Sequence, residues 1–406
     1  MSRESSPRPP SVERLLSVVR PRLGERDRAA VTAAAREVLA TERLRLAAGE
    51  RASTLDSLAD DLVDDLSTTP SALVPVINAT GVIIHTNLGR ASWPQAAIDA
   101  AQRAASGTSF LELDRETGRR GPRAPSAEAD LIVVTGAEAA LVTNNNAAAV
   151  SLALAAAVAG GGRRGGVAVA RGELVEIGGG VRIPDVVRRA GLRLVEVGTT
   201  NKTRVADYRA ALDAKTAHAV LRVHPSNFTM AGFVESPDPA ELAAMAHDHG
   251  AVVVDDLGSG ALLDTASFGL AHEPTPMERL RSGSDLVCFS GDKLVGGPQA
   301  GLVVGRADLV ERMRKDPLAR AMRPDKVTLA GVAATLWLYR AGLAASEIPV
   351  WRMIAAQEAE LRGRAESLAG KLARLGHTPV VMPVESTIGG GSLPGETLPS
   401  WGLSLP

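Results

Sequence analysis

One lysine, Lys293, stands where an apolar stretch runs into a polar turn, in Asp285-Leu-Val-Cys-Phe-Ser-Gly-Asp-Lys-Leu-Val-Gly-Gly-Pro-Gln-Ala-Gly301. An ε-amine attacks carbonyl carbons well only once it is neutral, and desolvation favours the neutral form. Leu286 to Phe289 reads as a buried strand, so the amine is expected at a strand end. Gly291, Gly296 and Gly297 are expected to leave room for a bulky group against the backbone. Pyridoxal phosphate is the cofactor that most often takes such a lysine, as a Schiff base. The competing reading is a β-hairpin whose lysine points at water.

Other residues converge on the same chemistry. Val252-Val-Val-Asp-Asp-Leu-Gly-Ser-Gly260 is an apolar strand ending in two acids, with Asp256 lying 37 residues before the lysine. A carboxylate held at a strand end keeps a pyridinium nitrogen protonated, and Asp255 is a near-equal candidate for that role. Asn144, Asn145 and Asn146 join a strand to an Ala-rich helix. A helix N-terminus with amide side chains beside it suits a phosphate, although the same run also serves as a plain N-cap. Ser290 adds a hydroxyl to that phosphate site, and Asn227 of His224-Pro-Ser-Asn227 could reach a ring oxygen. His224 itself reads as structural. Arg90 follows a Gly-punctuated strand-like segment, and Arg320 and Arg323 stand three apart. Guanidinium pairs suit tetrahedral oxyanions, and solvated surface charge is the alternative. The single cysteine, Cys288, reads as a small buried hydrophobe, and no metal-ligand spacing occurs.

Elements able to position these groups follow from the texture of the chain. The 406 residues are 45% hydrophobic, 22% charged and 3% aromatic, with net charge −1, so the core is built on Ala, Val and Leu. Whole-molecule charge gives no nucleic-acid signature, yet residues 1–51 carry 11 Arg and no Lys against 7 acidic side chains. One cysteine, no signal-like apolar stretch and no bilayer-length run point to a cytoplasmic protein without a membrane segment. Residues 1–11 are expected to form a disordered leader and 11–66 a helical module. Strands are expected at Ala140–Thr143, Val167–Ala170, Leu192–Val197, Ala219–Val223, Ala251–Asp255, Leu286–Phe289 and Leu302–Val304. Helices between them, at Ala147–Ala159, Ile183–Ala190, Ala206–Ala214 and Pro239–His249, argue for an α/β domain with a mostly parallel, doubly covered sheet. The expected domains are 1–70, 71–325 and 326–406. The last holds long helices, one strand at Pro379–Met382 and a Gly/Pro-rich tail, and so reads as incomplete.

These motifs resemble a known family. Asn78-Ala-Thr-Gly, His85-Thr-Asn-Leu-Gly-Arg90, Asn144-Asn-Asn-Ala-Ala, Arg171-Gly-Glu-Leu-Val-Glu-Ile-Gly-Gly-Gly, Glu196-Val-Gly-Thr-Thr-Asn-Lys-Thr203, Asp256-Leu-Gly-Ser-Gly and the Lys293 run look like bacterial selenocysteine synthases, the L-seryl-tRNA(Sec) selenium transferases. The resemblance implies an aspartate-aminotransferase-like (fold type I) pyridoxal-phosphate domain and a homo-oligomeric ring of dimers. It implies Lys293 as the Schiff-base lysine, Asp256 as the ring-nitrogen partner, and Arg90, Arg320 and Arg323 as the selenophosphate pocket. The N-terminal module would hold tRNA. The implied reaction eliminates water from seryl-tRNA(Sec) to leave aminoacrylyl-tRNA, and selenium from selenophosphate then adds to the β-carbon. Two features depart from the family pattern: the shortened tail, and Thr108 where a Tyr usually follows the glycine at Gly107. Two rival readings stand beside it: a related lyase acting on a small amino acid or amino sugar, and a truncated, non-catalytic tRNA-binding paralogue.

Overall fold

The computed structural model describes residues 8–67, 73–158 and 165–405. Residues 1–7 of the expected leader, Pro70 and the Ala159 end of one expected helix lie outside the described residues. The chain divides into two compact units, Met1–Ile77 and Asn78–Pro406.

Among the described residues the first unit holds three helices, α1 (Val12–Leu23), α2 (Arg28–Ala47) and α3 (Leu55–Ser67). The Ser11 side chain caps α1 by accepting from the Arg14 N–H at 3.3 Å, and Asp27 caps α2 through the Ala30 N–H at 2.8 Å. Leu15, Leu16, Val19, Ala35, Leu39, Leu58 and Leu62 recur at helical spacing and close a core of their own. The acidic stretch from Asp56 to Asp65 is the outer face of α3, within the helical module expected over 11–66.

In the second unit, helices α4 (Gln95–Ala105), α5 (Pro125–Thr135) and α6 (Asn146–Ala157) precede or flank the first strands. The strands are β1 (Ala139–Thr143), β2 (Gly166–Ala170), β3 (Glu176–Ile177), β4 (Val181–Arg182), β5 (Arg193–Val197), β6 (Ala219–Val223), β7 (Val252–Gly258), β8 (Leu286–Ser290), β9 (Gly301–Gly305), β10 (Val380–Thr387) and β11 (Thr397–Ser404). Seven of them form one sheet in the order β1-β9-β8-β7-β6-β2-β5. Only β9 runs antiparallel to its neighbours there, so the mostly parallel α/β sheet expected from the sequence is present.

Residues of alternating parity cover the two faces of this sheet, as the pleat requires. Val167, Val169, Leu221, Val254, Leu286, Cys288 and Val303 pack against α6 and the helices Ile183–Arg189 and Ala307–Lys315. On the opposite face Val287, Phe289, Leu302 and Val304 meet α5 and the helix Lys326–Arg340, while Val220 and Val253 meet Val205–Asp213 and Pro239–Asp248. Cys288 is fully buried, the small hydrophobe its sequence context implies.

The tail departs from expectation. Its strand is longer than foreseen, and it is paired along its length with β11, from Val380↔Ser404 to Thr387↔Thr397. Pro399 and Gly402 disguise β11 as loop, but a two-stranded sheet has only edges, where proline needs no ladder partner. The helix Glu358–Arg374 lies against this hairpin, and Trp401 donates to Glu358 at 3.2 Å. Beyond β10 the chain pairs with an early segment: Thr387 N–H donates to Gly81 O at 2.8 Å, and Ile83 and Ile84 N–H donate to Thr387 O and Ile388 O at 2.9 and 2.8 Å. No helix among the described residues is long and apolar enough to cross a membrane.

Candidate active site

Lys293 sits in the loop between β8 and β9. Those strands do form an antiparallel hairpin, yet the lysine does not point at water. The loop is tied down by Gly291 N–H to Ala300 O at 2.8 Å, Leu294 N–H to Ser259 O at 3.0 Å and Ala91 N–H to Asp292 O at 3.2 Å. Burial holds the Lys293 ammonium below the usual lysine range; Asp256 opposes that shift and nearby Arg90 reinforces it.

The glycines of this loop play a different part from the one expected. A methyl on Gly291 would lie 2.6 Å from Pro298 O, one on Gly296 2.3 Å from Ile348 Cγ2, and one on Gly297 2.8 Å from Thr335 Oγ1. The protein itself fills that room, so these glycines let the loop pack down. Open backbone beside the amine comes from Gly258 at the end of β7, where a methyl would lie 3.7 Å from Lys293 Nζ and 3.1 Å from Ser226 Oγ.

Strand alternation separates the two acids. Asp256 shares the parity of Val254 and faces α6, where its carboxylate accepts from Asn146 Nδ2 at 2.8 Å and from the Gly258 N–H at 3.1 Å. Burial raises its pKa, against the pull of the Asn146 hydrogen bond and of Lys293. Asp255 faces the other way: Ser284 Oγ donates to it and Arg279 Nε lies 3.9 Å away. The Lys293 face therefore belongs to Asp256.

The three asparagines divide their duties. Asn145 is the N-cap of α6, accepting from the Ala148 N–H at 2.9 Å. Asn146 serves Asp256, and the Asn144 N–H donates to Met322 O at 2.9 Å. The carboxamide oxygens of Asn144 and Asn146 are buried without a partner among the described residues, which leaves side-chain valence at the start of α6 for a ligand. Ser290 is buried as the last residue of β8, opposite Gly301. Asn227 is exposed, and its amide donates to Glu176 O at 3.0 Å, so Ser226 and not Asn227 is the polar side chain beside the lysine.

Arg90 comes to this centre from a distant part of the sequence. Its φ is +64°, rare for a side-chain-bearing residue, and its Nη1 donates to Asp292 Oδ2 at 2.8 Å. The other two arginines are not on one helical face. The helix Pro317–Ala321 stops before Arg323, because Pro324 disfavours helical backbone at the residue before it. Arg320 is exposed with no ionic partner among the described residues. Arg323 approaches Glu112 at 3.5 Å, joined there by Arg120 at 2.5 Å and Arg123 at 2.6 Å. Three guanidiniums thus share one carboxylate beside a cavity of about 190 Å³ that Thr143, Met322 and Pro324 also line. Arg120 and Arg123 escaped sequence reading because nothing in their own stretch marks them; their role comes from the fold.

Buried Glu273 was likewise unassigned, and it meets half-buried His224, which the sequence marks as structural. Their side chains approach to 3.2 Å at the same end of the sheet, and Glu273 adds a weak favourable charge at Lys293.

The chain is similar to known proteins along most of its length. The L-seryl-tRNA(Sec) selenium transferase of Rhizobium meliloti (strain 1021) is 46% identical over 404 residues, 98% of this chain and 86% of that protein. Its namesake in Salmonella arizonae is 48% identical over 339 residues, 82% of this chain and 72% of that one. Among solved structures, a D-glucosaminate-6-phosphate ammonia-lyase superposes with a TM-score of 0.56 at 22% identity, over 80% of this chain and 78% of that chain, a likeness of fold. The family model described as L-seryl-tRNA selenium transferase matches residues 76–406, and the chain belongs to that family.

Proposed function

We propose that this protein converts L-seryl-tRNA(Sec) into selenocysteinyl-tRNA(Sec), with pyridoxal 5'-phosphate as cofactor and selenophosphate as selenium donor. The observation that carries the reading is Lys293, a buried amine held toward its neutral form opposite Asp256, in a chain of this family. The residues fit the cofactor. An amine is present for its aldehyde, a carboxylate for its ring nitrogen, and unpartnered carboxamides at a helix start for its phosphate. When bound, that cofactor supplies an electron sink for charge developing at the substrate α-carbon.

The chain's own residues do the rest. Asp256, oriented by Asn146, would hold a proton on the pyridine nitrogen of the bound cofactor. Asn144, Asn145 and Ser290 would flank its phosphate. Lys293, neutral, takes the α-proton of the seryl group, and the β-hydroxyl departs as water. Arg90, Arg320 and Arg323, with Arg120 and Arg123 beside Arg323, bind selenophosphate; its selenium joins the β-carbon and its phosphorus leaves as phosphate once water has added. In the first unit Arg28, Arg36 and Arg43 are exposed along α2 without ionic partners among the described residues, an arrangement suited to tRNA phosphates. The protein acts as a cytoplasmic homo-oligomer on this reading.

The test follows the visible absorbance of the cofactor-loaded protein while seryl-tRNA(Sec) is added without selenophosphate. A change specific to the charged cognate tRNA, followed by selenium in the aminoacyl ester once selenophosphate is supplied, is the expected result. A spectrum that ignores this tRNA and answers a free amino acid or amino sugar would overturn the proposal.

A further inference from the structure

The Lys293 amine meets a second side-chain-free stretch of backbone opposite Gly258, close to the end of the chain. Gly389, Gly390 and Gly391 have φ of 72°, 62° and 75°, a left-handed run that suits glycine alone. A methyl on Gly389 would lie 2.3 Å from Val82 Cγ1, and one on Gly390 2.4 Å from Ile84 Cγ2. One on Gly391 would lie 3.1 Å from Lys293 Nζ itself.

The turn is clamped at both ends. Ile388 and Leu393 are buried in one cluster with Ile84, Leu294 and Trp351, so the residue after the lysine and both flanks of the turn share a core. The hydrogen bond from Ile84 N–H to Ile388 O, 2.8 Å, fixes the approach. Ser392 is 2% exposed, and its hydroxyl has no hydrogen-bond partner among the described residues.

We propose that the Gly389–Ser392 turn is the wall of the lysine site that reads the size of the aminoacyl side chain. Any group reacting at Lys293 Nζ lies within a few bond lengths of the amine, so Gly391 backbone bounds its room. A rigid wall of this kind admits a hydroxymethyl side chain and resists one carrying a further methyl. A single methyl in such a fit is discriminated by about tenfold or more. The inference rests on the selenium-transferase reading and adds to it the element that sets serine selectivity.

The experiment uses the full-length, cofactor-loaded protein and one tRNA(Sec) charged either with serine or with threonine, read by the absorbance change on mixing. Wild type should respond to the threonine ester about tenfold more weakly than to the serine ester. Gly391→Ala should weaken the serine response about tenfold or more while borohydride still traps cofactor on Lys293. Ile84→Ala removes the Cγ2 methyl against which Gly390 rests and should narrow the serine-to-threonine ratio by about threefold. A wild-type ratio retained in Ile84→Ala would overturn the inference, because a turn with a purely structural role would lower both responses together. Failure of wild type to answer the serine ester would instead count against the selenium-transferase reading.

Discussion

Asp255 and Asp256 are neighbours in the chain and face opposite sides of the sheet, into two differently built charge clusters. Around Asp255 the cations are Arg279 and Arg222, the latter directly across in β6, and Glu173 is the second acid. Arginine keeps its proton at any physiological pH, so the charge there is permanent. Around Asp256 the facing cation is Lys293, which burial brings toward neutrality. The same sheet end thus carries a fixed-charge cluster suited to holding strands and a titratable one suited to chemistry.

That contrast can be broken at several points. The largest effect is expected from Lys293→Arg, which keeps the charge and loses the titratable amine. Turnover should fall about 1000-fold or more, and borohydride should no longer trap cofactor on the protein. Normal trapping at another lysine would dismiss the assignment.

Exchanging the acids one at a time should separate stability from chemistry. Asp255→Asn leaves Arg279 and Arg222 under-compensated and should cost roughly 3–5 kcal/mol in denaturant unfolding, with the cofactor spectrum unchanged. Asp256→Asn should do the reverse, lowering turnover about 100-fold at nearly constant stability. Equal losses of stability in both variants would erase the distinction.

Glu173 sharpens the comparison through pH. Desolvation pushes its carboxyl from 4.5 up to about 7, with Arg222 opposing. The folded state therefore holds this proton more tightly than the unfolded chain. The stability it contributes is complete below pH 4.5 and is lost as pH rises through about 7. Glu173→Gln stays neutral throughout and should gain about 3 kcal/mol over the wild type above that range, measured as unfolding midpoints against pH. An unchanged pH slope would mean that Arg222 and Arg279 compensate the carboxylate fully.

The smallest effect is expected at Ser284. Ser284→Ala removes one hydrogen bond to Asp255 and should cost about 1 kcal/mol without touching the cofactor spectrum. Asn146→Ala, the corresponding change beside Asp256, should shift that spectrum.

Much of this was legible in the residues. Strands of the main sheet lie within a few positions of where their apolar runs place them, because five-residue buried runs between turn signals leave little choice. Lys293 and the acid pair stand out for the same local reason, a strand ending in polar residues. The choice between the acids had to wait for the register, since shifting one position reverses the face. Asn227 misled because its own stretch does not reveal that Glu176 O would claim its amide.

Local pattern therefore determined the elements of the main sheet, the helical unit, the α/β class and the lysine at the strand end. Periodicity, caps and turn residues act over a few positions and can be read there. Tertiary structure decided what surrounds the lysine. Gly291, Gly296 and Gly297 pack against the protein, Arg90 arrives from far upstream, and a Gly389–Gly391 run that reads as linker closes on the amine. Those contacts join residues tens to hundreds of positions apart. They exist because Ile84, Leu294, Ile388 and Leu393 bury one another, a packing that no single stretch encodes.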